Sequence, residues 1–590
     1  MTLGSSATWI KGSHSLKVGA EFQDGNFNTI KPARDNGGAI TFNGNVTSNG
    51  NPASGGLGAT FAHSFADFLL GRFDSYGVVD GFDQTLQSWN LGTYVMDTWR
   101  VTPRLTVTPG VRLEVNSGIS EMENRLTLYR PGLKSTKYPN FPPGIVVAGD
   151  AGLPDSFSGI ATKLAPRVNF AWDVKGDGKT AVRGSVGLYY GRDVMALYES
   201  YYLHRPPFTG ATATARNGVL SNPWLTSQNP TYTAPPFPFT DQDPANYRWP
   251  SQVSGLNGQD PSYSLGSSTQ WNIAVERELF RGIRLEVGYQ GNRSASTPTG
   301  VPTNLPVWAD GATDNSSSYQ ARRPVQFLGD NGLWVYNDGR TRFDQLLVLA
   351  RAKRPGLFAQ LSWAYTHARR NFAGSSASPG SNRDWDSSLS FPNSLDLMQD
   401  FQNNHTIAGF FVWELPFYRH HDTTAGKILG GWSLTANGYW TFLNKGVSVF
   451  AGYDANANSW GDDLAKVVGN VTYPKTPITG QGDLLYQWFD PSAFAYPNGT
   501  LNRVFGPTTV TDGLNVLSDL PGSWRVDAGL MKDFRIAGDA KVQFRLESFN
   551  LFNHANLNYP NTSVNSADFG RIRGKSGDGR RVQLGLRFLF

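Results

Sequence analysis

A chain of 590 residues with a formal net charge of +5, 17% charged residues and no cysteine excludes several classes at once. Thiol catalysis, disulfide frameworks and cysteine zinc sites are ruled out, the charge is too sparse for a disordered chain, and no basic cluster is dense enough for a nucleic-acid partner. No run of about 18 apolar residues exists, so no helical membrane span is expected.

The N-terminus, MTLGSSATWIKG, has neither the charged start nor the apolar centre of a signal peptide. Period-two alternation then dominates, the mark of strands with two unlike faces. A strand is expected at residues 4–11, turning at Gly12 into a second with Leu16, Val18, Ala20 and Phe22 on one face. Residues 25–86 are read as one long loop. Within it 64–76 (SFADFLLGRFDSY) forms a short amphipathic helix or a loop strand that pairs with 39–43. From 105, Leu105, Val107, Val111, Leu113 and Val115 alternate with Thr106, Thr108, Arg112 and Glu114. Further alternating runs begin near 167, 283, 432 and 542, whereas 343–351 and 405–414 carry apolar residues on both faces. Several runs reach about 10 residues, enough to cross a bilayer at a tilt.

The connections alternate strictly in length. Short turns fall at 102–104, 175–179, 280–282, 353–356 and 536–539, with a longer one at 416–431. Long stretches fall at 116–163, 192–266, 291–341, 369–403, 444–523 and 553–580. Outer-membrane barrels have this order, with short periplasmic turns and long extracellular loops. The fold class expected is therefore all-β, a transmembrane antiparallel barrel of about 15 strands. Parity makes both the first and the last strand descend, the last ending in the periplasm at Phe590. Two descending edges could close only in parallel, so an open or imperfect seam is expected. Single-chain bacterial barrels have even strand numbers, so the chain is expected to be an N-terminally truncated product or fragment.

Three stretches carry a family resemblance: 94–114 (YVMDTWRVTPRLTVTPGVRLE), 164–192 (LAPRVNFAWDVKGDGKTAVRGSVGLYYGR), and 549–557 (FNLFNHANL) with the ending 582–590 (VQLGLRFLF). Together they resemble the C-terminal barrel of TonB-dependent outer-membrane receptors of the Oar-like group. The resemblance implies a barrel of about 22 strands, a plug in its lumen, and energy delivered through the TonB complex. It also implies that residues 1–590 are the C-terminal part of one barrel domain, with the plug and a preceding regulatory-like domain absent. The implied activity is that of a receptor or transporter for a large substrate in the bacterial outer membrane, with no enzymatic chemistry and no cofactor. A passive channel or adhesin barrel is the main alternative, and a secreted all-β enzyme or sugar-binding protein a more distant one.

Val582, Leu584, Leu586, Phe588 and Phe590 share one face of the last strand and resemble the signal taken up by the barrel-assembly machinery. Trp172, Tyr189, Tyr190, Trp363, Tyr365, Trp413, Tyr439, Trp440 and Phe442 recur near strand ends, as an interfacial girdle in contact with lipid would. Arg112, Glu114, Arg167, Asp173, Arg284, Glu286, Arg545, Glu547 and Arg587 fall at inward positions, where hydrogen bonding to a plug or lumen water outweighs acid–base chemistry. The Pro- and aromatic-rich part of 192–266, with Tyr232, Phe237, Phe239, Tyr247 and Trp249, is the candidate for contact with an external ligand, whose identity is unknown. His420 and His421 would point to opposite faces of a strand and make a poor metal site. Asp384, Asp386, Asp462 and Asp463 match no calcium-loop spacing and are expected to be solvated.

Overall fold

The computed structural model describes the chain except residues 32–38, 49–58, 80–81, 157, 193–194, 196–197, 199–201, 210–211, 227–242, 303, 314, 331, 372–398, 419–422, 444–445, 460–462, 479–485, 499–504, 507–511, 514–515 and 538–539. Its main sheet has 17 strands, two of which are two-residue additions at 120–121 and 258–259. The other fifteen are β1 (Thr2–Lys11), β2 (His14–Lys31), β3 (Phe82–Thr102), β4 (Leu105–Asn116), β5 (Ala161–Asp173), β6 (Thr180–Tyr190), β7 (Ser267–Phe280) and β8 (Ile283–Pro302). They continue with β9 (Leu333–Arg354), β10 (Leu357–Arg370), β11 (Gln399–Glu414), β12 (Trp432–Leu443), β13 (Ser523–Ala537), β14 (Ala540–Phe549) and β15 (Arg581–Leu589).

Each strand pairs antiparallel with the next in sequence. The strand number expected from loop alternation is therefore the number found. β1 and β15 are the edges, and no ladder joins them among the described residues. With an odd count they run in the same direction.

Register sets the two faces, because cross-strand partners point the same way. Val348, Trp363, Ile407, Trp440 and Trp524 form one row across β9 to β13. Two residues further out comes the row Leu346, Tyr365, His405 and Phe442, and then the polar row Asp344, His367 and Asn403. At the opposite end Arg354, Leu357, Trp413 and Leu434 share a row. The apolar band thus runs from Leu357 to Tyr365 on β10, matching the ~9–11 residues of a tilted membrane-spanning strand.

Several strands overshoot that band. β9 has 22 residues, a length of about 70 Å at about 3.3 Å per residue. β2, β3 and β8 likewise extend into segments expected to be loop. The expected 25–86 loop resolves into helix α1 (Ala59–Leu69) followed by a strand at Arg72–Val79. That strand pairs with Ala39–Thr41, Ile40 opposite Tyr76, as the parity argument required. Thr212–Val219 and Asn222–Thr226 complete this separate four-stranded sheet.

Short turns are held locally. Asp173, on the inward face opposite Ala181, accepts from the Gly176 and Gly178 amides at 2.8 and 3.0 Å. Both glycines have positive φ, which a Cβ disfavours. The sidedness is testable: Val287→Arg on the apolar face should cost about 2–4 kcal/mol in urea unfolding. Gln290→Arg, on the opposite face beside Gln345, should leave the midpoint nearly unchanged.

Candidate functional site

The polar face is stitched across strands. Glu276 on β7 receives Arg183 from β6 at 3.3 Å and Arg284 from β8 at 3.0 Å. Arg112 on β4 bonds Glu114 at 2.8 Å and reaches Glu21 on β2 at 3.5 Å, crossing β3. The crossing passes over Gly92, where a Cβ would collide with the guanidinium. Farther along, Arg525 meets Asp527 at 2.7 Å, Lys541 meets Asp533 at 2.5 Å, and Arg545 donates to Gln543 at 2.6 Å. The register places Glu286, Glu547 and Arg587 on this face, opposite Leu349, Gly529 and Gln543 respectively. Arg167 lies over the ring of Tyr189 at 4.1 Å. Tyr189 and Tyr439 belong to this polar face rather than to the lipid-side girdle, because their partners are Ser268 on one side and Ala408 and Arg525 on the other.

One sector of the polar face is apolar. Phe358 and Phe410 pack edge-to-face at 5.5 Å beside Val412, and the three remain 44%, 37% and 41% exposed. Phe410 and Val412 explain why 405–414 carried apolar residues on both faces. A cavity of about 310 Å³ adjoins them, lined by Gln360, Ser362, Asn437, Tyr439, Arg525 and Asp527.

The girdle is dense at the other face. His405 stacks between Trp363 and Tyr365 at 5.8 and 4.7 Å, and Trp440 stacks on Phe442 at 4.9 Å. Trp172 lies opposite Leu105 on the same face, and the Lys163 ammonium approaches the Tyr190 ring at 5.7 Å. Val582, Leu584, Leu586 and Phe588 are opposite Ser548, Leu546, Phe544 and Val542, and all four stand exposed on the sheet's outer edge, as does Phe590 beyond them.

The buried core lies in the loops, which the sequence presented as polar connections. In one lobe Leu86, Leu126, Leu128, Val146, Tyr198 and Tyr202 form a cluster that takes in Val335 from the overshoot of β9. A neighbouring cluster contains Phe141, Ile145, Val147, Phe208, Val253 and Leu328. A second lobe is built on Val449, Phe489, Phe494, Leu517, Phe569 and Ile572. The run Ile145-Val146-Val147 was the available sequence signal for such a core. Helix α2 (Ser316–Arg322) joins the lobes: Tyr319 donates to Asp454 at 3.2 Å, and Arg322 to the Ala457 carbonyl at 2.5 Å.

Of the candidate ligand-contact residues, Tyr232, Phe237 and Phe239 lie outside the described residues. Trp249 packs into the loop core, 5.0 Å from both Phe141 and Tyr247. His420, His421, Asp384, Asp386 and Asp462 also lie outside the described residues. Asp463 departs from the solvated expectation. It is buried and accepts from the Ala455 and Asn456 amides at 2.5 and 3.0 Å, because the loop's own amides need an acceptor away from water.

Asp150 has the same role in the first lobe. Burial alone would raise its pKa, but donation from Val147, Lys137, Ser135 and Thr136 outweighs that and holds it below the usual carboxylate range. Burial similarly works against Glu121, whose pKa is lowered by Arg125 and by the amides around it.

The outer membrane beta barrel domain family model matches residues 1–583, and the chain belongs to that family. It is therefore a β-barrel protein of the bacterial outer membrane. A comparison with curated proteins finds no match. Among solved structures the chain is similar to the outer membrane transporter YddB from Escherichia coli, with 10% identity and TM-score 0.49 over 99% of this chain and 53% of that one. It is also similar to the FrpB iron transporter from Neisseria meningitidis (F5-1 variant), at 10% and 0.41 over 99% and 55%. The siderophore receptor PirA from Acinetobacter baumannii gives 12% and 0.38 over 99% and 53%. The chain spans about half the length of these structures.

A depressed carboxyl pKa contributes stability that is full above the unfolded value, about 3.9 for Asp, and is lost as pH falls toward the folded value. Amide exchange at Lys137 and Val147 should therefore accelerate as pH drops below about 4, after correction for intrinsic rates. Asp150→Asn should lower local protection by about 2 kcal/mol at neutral pH, leaving β5 and β6 protected.

Proposed function

We propose that this chain forms the barrel wall of a TonB-dependent receptor or transporter of the Oar-like group, energised in the full-length protein through an N-terminal region that meets TonB. The Oar-like assignment rests on the sequence motifs at 94–114, 164–192, 549–557 and 582–590. The observation that carries the reading is the apolar sector of Phe358, Phe410 and Val412 on the polar face. A water-filled channel has a polar interior, and rings left in water forfeit roughly 25 cal/mol per Å² of apolar surface. Such a sector suits a wall packed against a plug. The ion pairs around Glu276 and Arg112 supply the polar remainder of that contact. Capture of a large external ligand belongs to the loop stretch holding Tyr232, Phe237, Phe239 and Tyr247, with Trp249 anchoring its base.

Full-length protein in a planar bilayer should be closed to ions. Replacing both Phe358 and Phe410 by Asp should open a steady conductance by weakening the packed contact. Steady conductance in the unmodified full-length protein would sink this reading in favour of the passive channel.

The exposed row Val582, Leu584, Leu586, Phe588 and Phe590 fits a segment that the assembly machinery takes up as the last strand. Removing Phe590 should lower the folded fraction in the outer membrane several-fold, measured by heat-modifiable gel mobility. An unchanged fraction would leave the row an ordinary amphipathic strand.

A further inference from the structure

The lipid-side face of β9 to β13 is not smooth. It sinks into a trough of about 500 Å³. The floor is Ala352, Ala359 and Ala436, with Gly409 and Gly438 beside them. These glycines are direct cross-strand partners, so two adjacent strands lack a side chain at one level. Leu361 and Val526 flank the gap in the same row. Trp440 and Trp524, with ring centroids 6.5 Å apart, wall it on the extracellular side.

From β9 to β13 the trough crosses five strands, and Ile283 of β8 closes its end. Four inter-strand spacings of about 4.8 Å give it a length of about 19 Å, comparable to one extended fatty acyl chain. Its width is one missing row of side chains. Its depth in the membrane follows from the register. Gly409 stands five residues from Glu414, the last residue of β11. That is about 16 Å along the strand, or about 12 Å in height at a tilt of about 40° within an apolar band about 25 Å tall. Gly409 thus sits near mid-membrane, opposite Leu361 at the centre of the Leu357–Tyr365 band, and the alanine row, two residues nearer the rim, opens in the periplasmic half.

A charge marks its lower end. Arg354 lies two residues beyond Ala352 on the same face, at the periplasmic rim. Its side chain is exposed, and it has no ion-pair partner among the described residues. A guanidinium at that height meets phosphate oxygens.

We propose that the trough holds one acyl chain of a periplasmic-leaflet phospholipid, with the lipid phosphate on Arg354. The family's location in the outer membrane puts this face in lipid, and the trough and the arginine select one molecule from that lipid. Lipid A enters from the opposite leaflet, above Trp440 and Trp524. A second copy of the barrel would leave Arg354 without its anion.

The test is native mass spectrometry of protein extracted from outer membranes in a mild detergent. The glycines are poor test sites: an added Cβ would meet the Gln360 carbonyl oxygen at 2.9 Å from Gly409 and the Arg525 carbonyl oxygen at 2.9 Å from Gly438. The floor alanines are better. The wild type should retain one phospholipid per chain through washing. The double variant Ala359→Leu, Ala436→Leu fills the trough and should lower the retained fraction about tenfold. Arg354→Gln, at the exposed rim where folding is not at stake, should lower it about three- to tenfold. Val287→Leu, outside the trough, should retain lipid as the wild type does. Retention of lipid A, a bound second chain, absence of any lipid, or undiminished retention in Arg354→Gln would each overturn the proposal.

Discussion

Within hydrocarbon every backbone amide and carbonyl needs a partner, and water is not there to supply one. In this chain each long strand obtains its partners from the strands immediately before and after it in sequence, from β1 to β15. That single requirement fixes the meander, the antiparallel register and the restriction of connections to the two ends. Among the described residues it also isolates two places where no ladder supplies a partner, the outer sides of β1 and β15. Both edges run in the same direction, so joining them directly would produce a parallel seam in an otherwise antiparallel sheet.

Once strands are paired, the two faces are separate problems. On the lipid side, rows of Leu, Val and aromatic side chains end abruptly at Asp344, His367 and Asn403, and that boundary marks where water resumes. On the polar side, charge is neutralised both along strands, as in Arg112–Glu114 and Arg525–Asp527, and between them. Glu276 ties β6, β7 and β8 together, and Arg112 on β4 reaches Glu21 on β2 because Gly92 leaves the intervening β3 bare. The same device recurs where Tyr94 lies across Gly19 and Trp271 across Gly291, positions a Cβ could not share with the ring. Part of the chain's high glycine content is thus space reserved for a neighbour's side chain.

The extracellular loops are a second folding unit rather than tethers. They hold buried apolar clusters of their own, and strand overshoots such as Val335 and Leu86 carry the sheet into them. Buried carboxylates, Asp150 and Asp463, replace water for amides that no ladder satisfies. The α2 contacts then tie one lobe to the other.

The strand count and the face of Leu105 and Arg112 were legible in the sequence, because period two and turn chemistry are local, and a strand near 64–76 paired with 39–43 was one of the two readings it offered. The loop cores were not, since Leu128, Tyr202 and Val335 meet only after three connections fold together. Nor was the inward placement of Tyr189, Tyr439 and Phe410, because an aromatic fits either face and only its cross-strand partner decides. Local alternation by itself determined which residues form strands and in what order. Tertiary structure alone decided what each face touches, because that depends on register with strands far away in sequence.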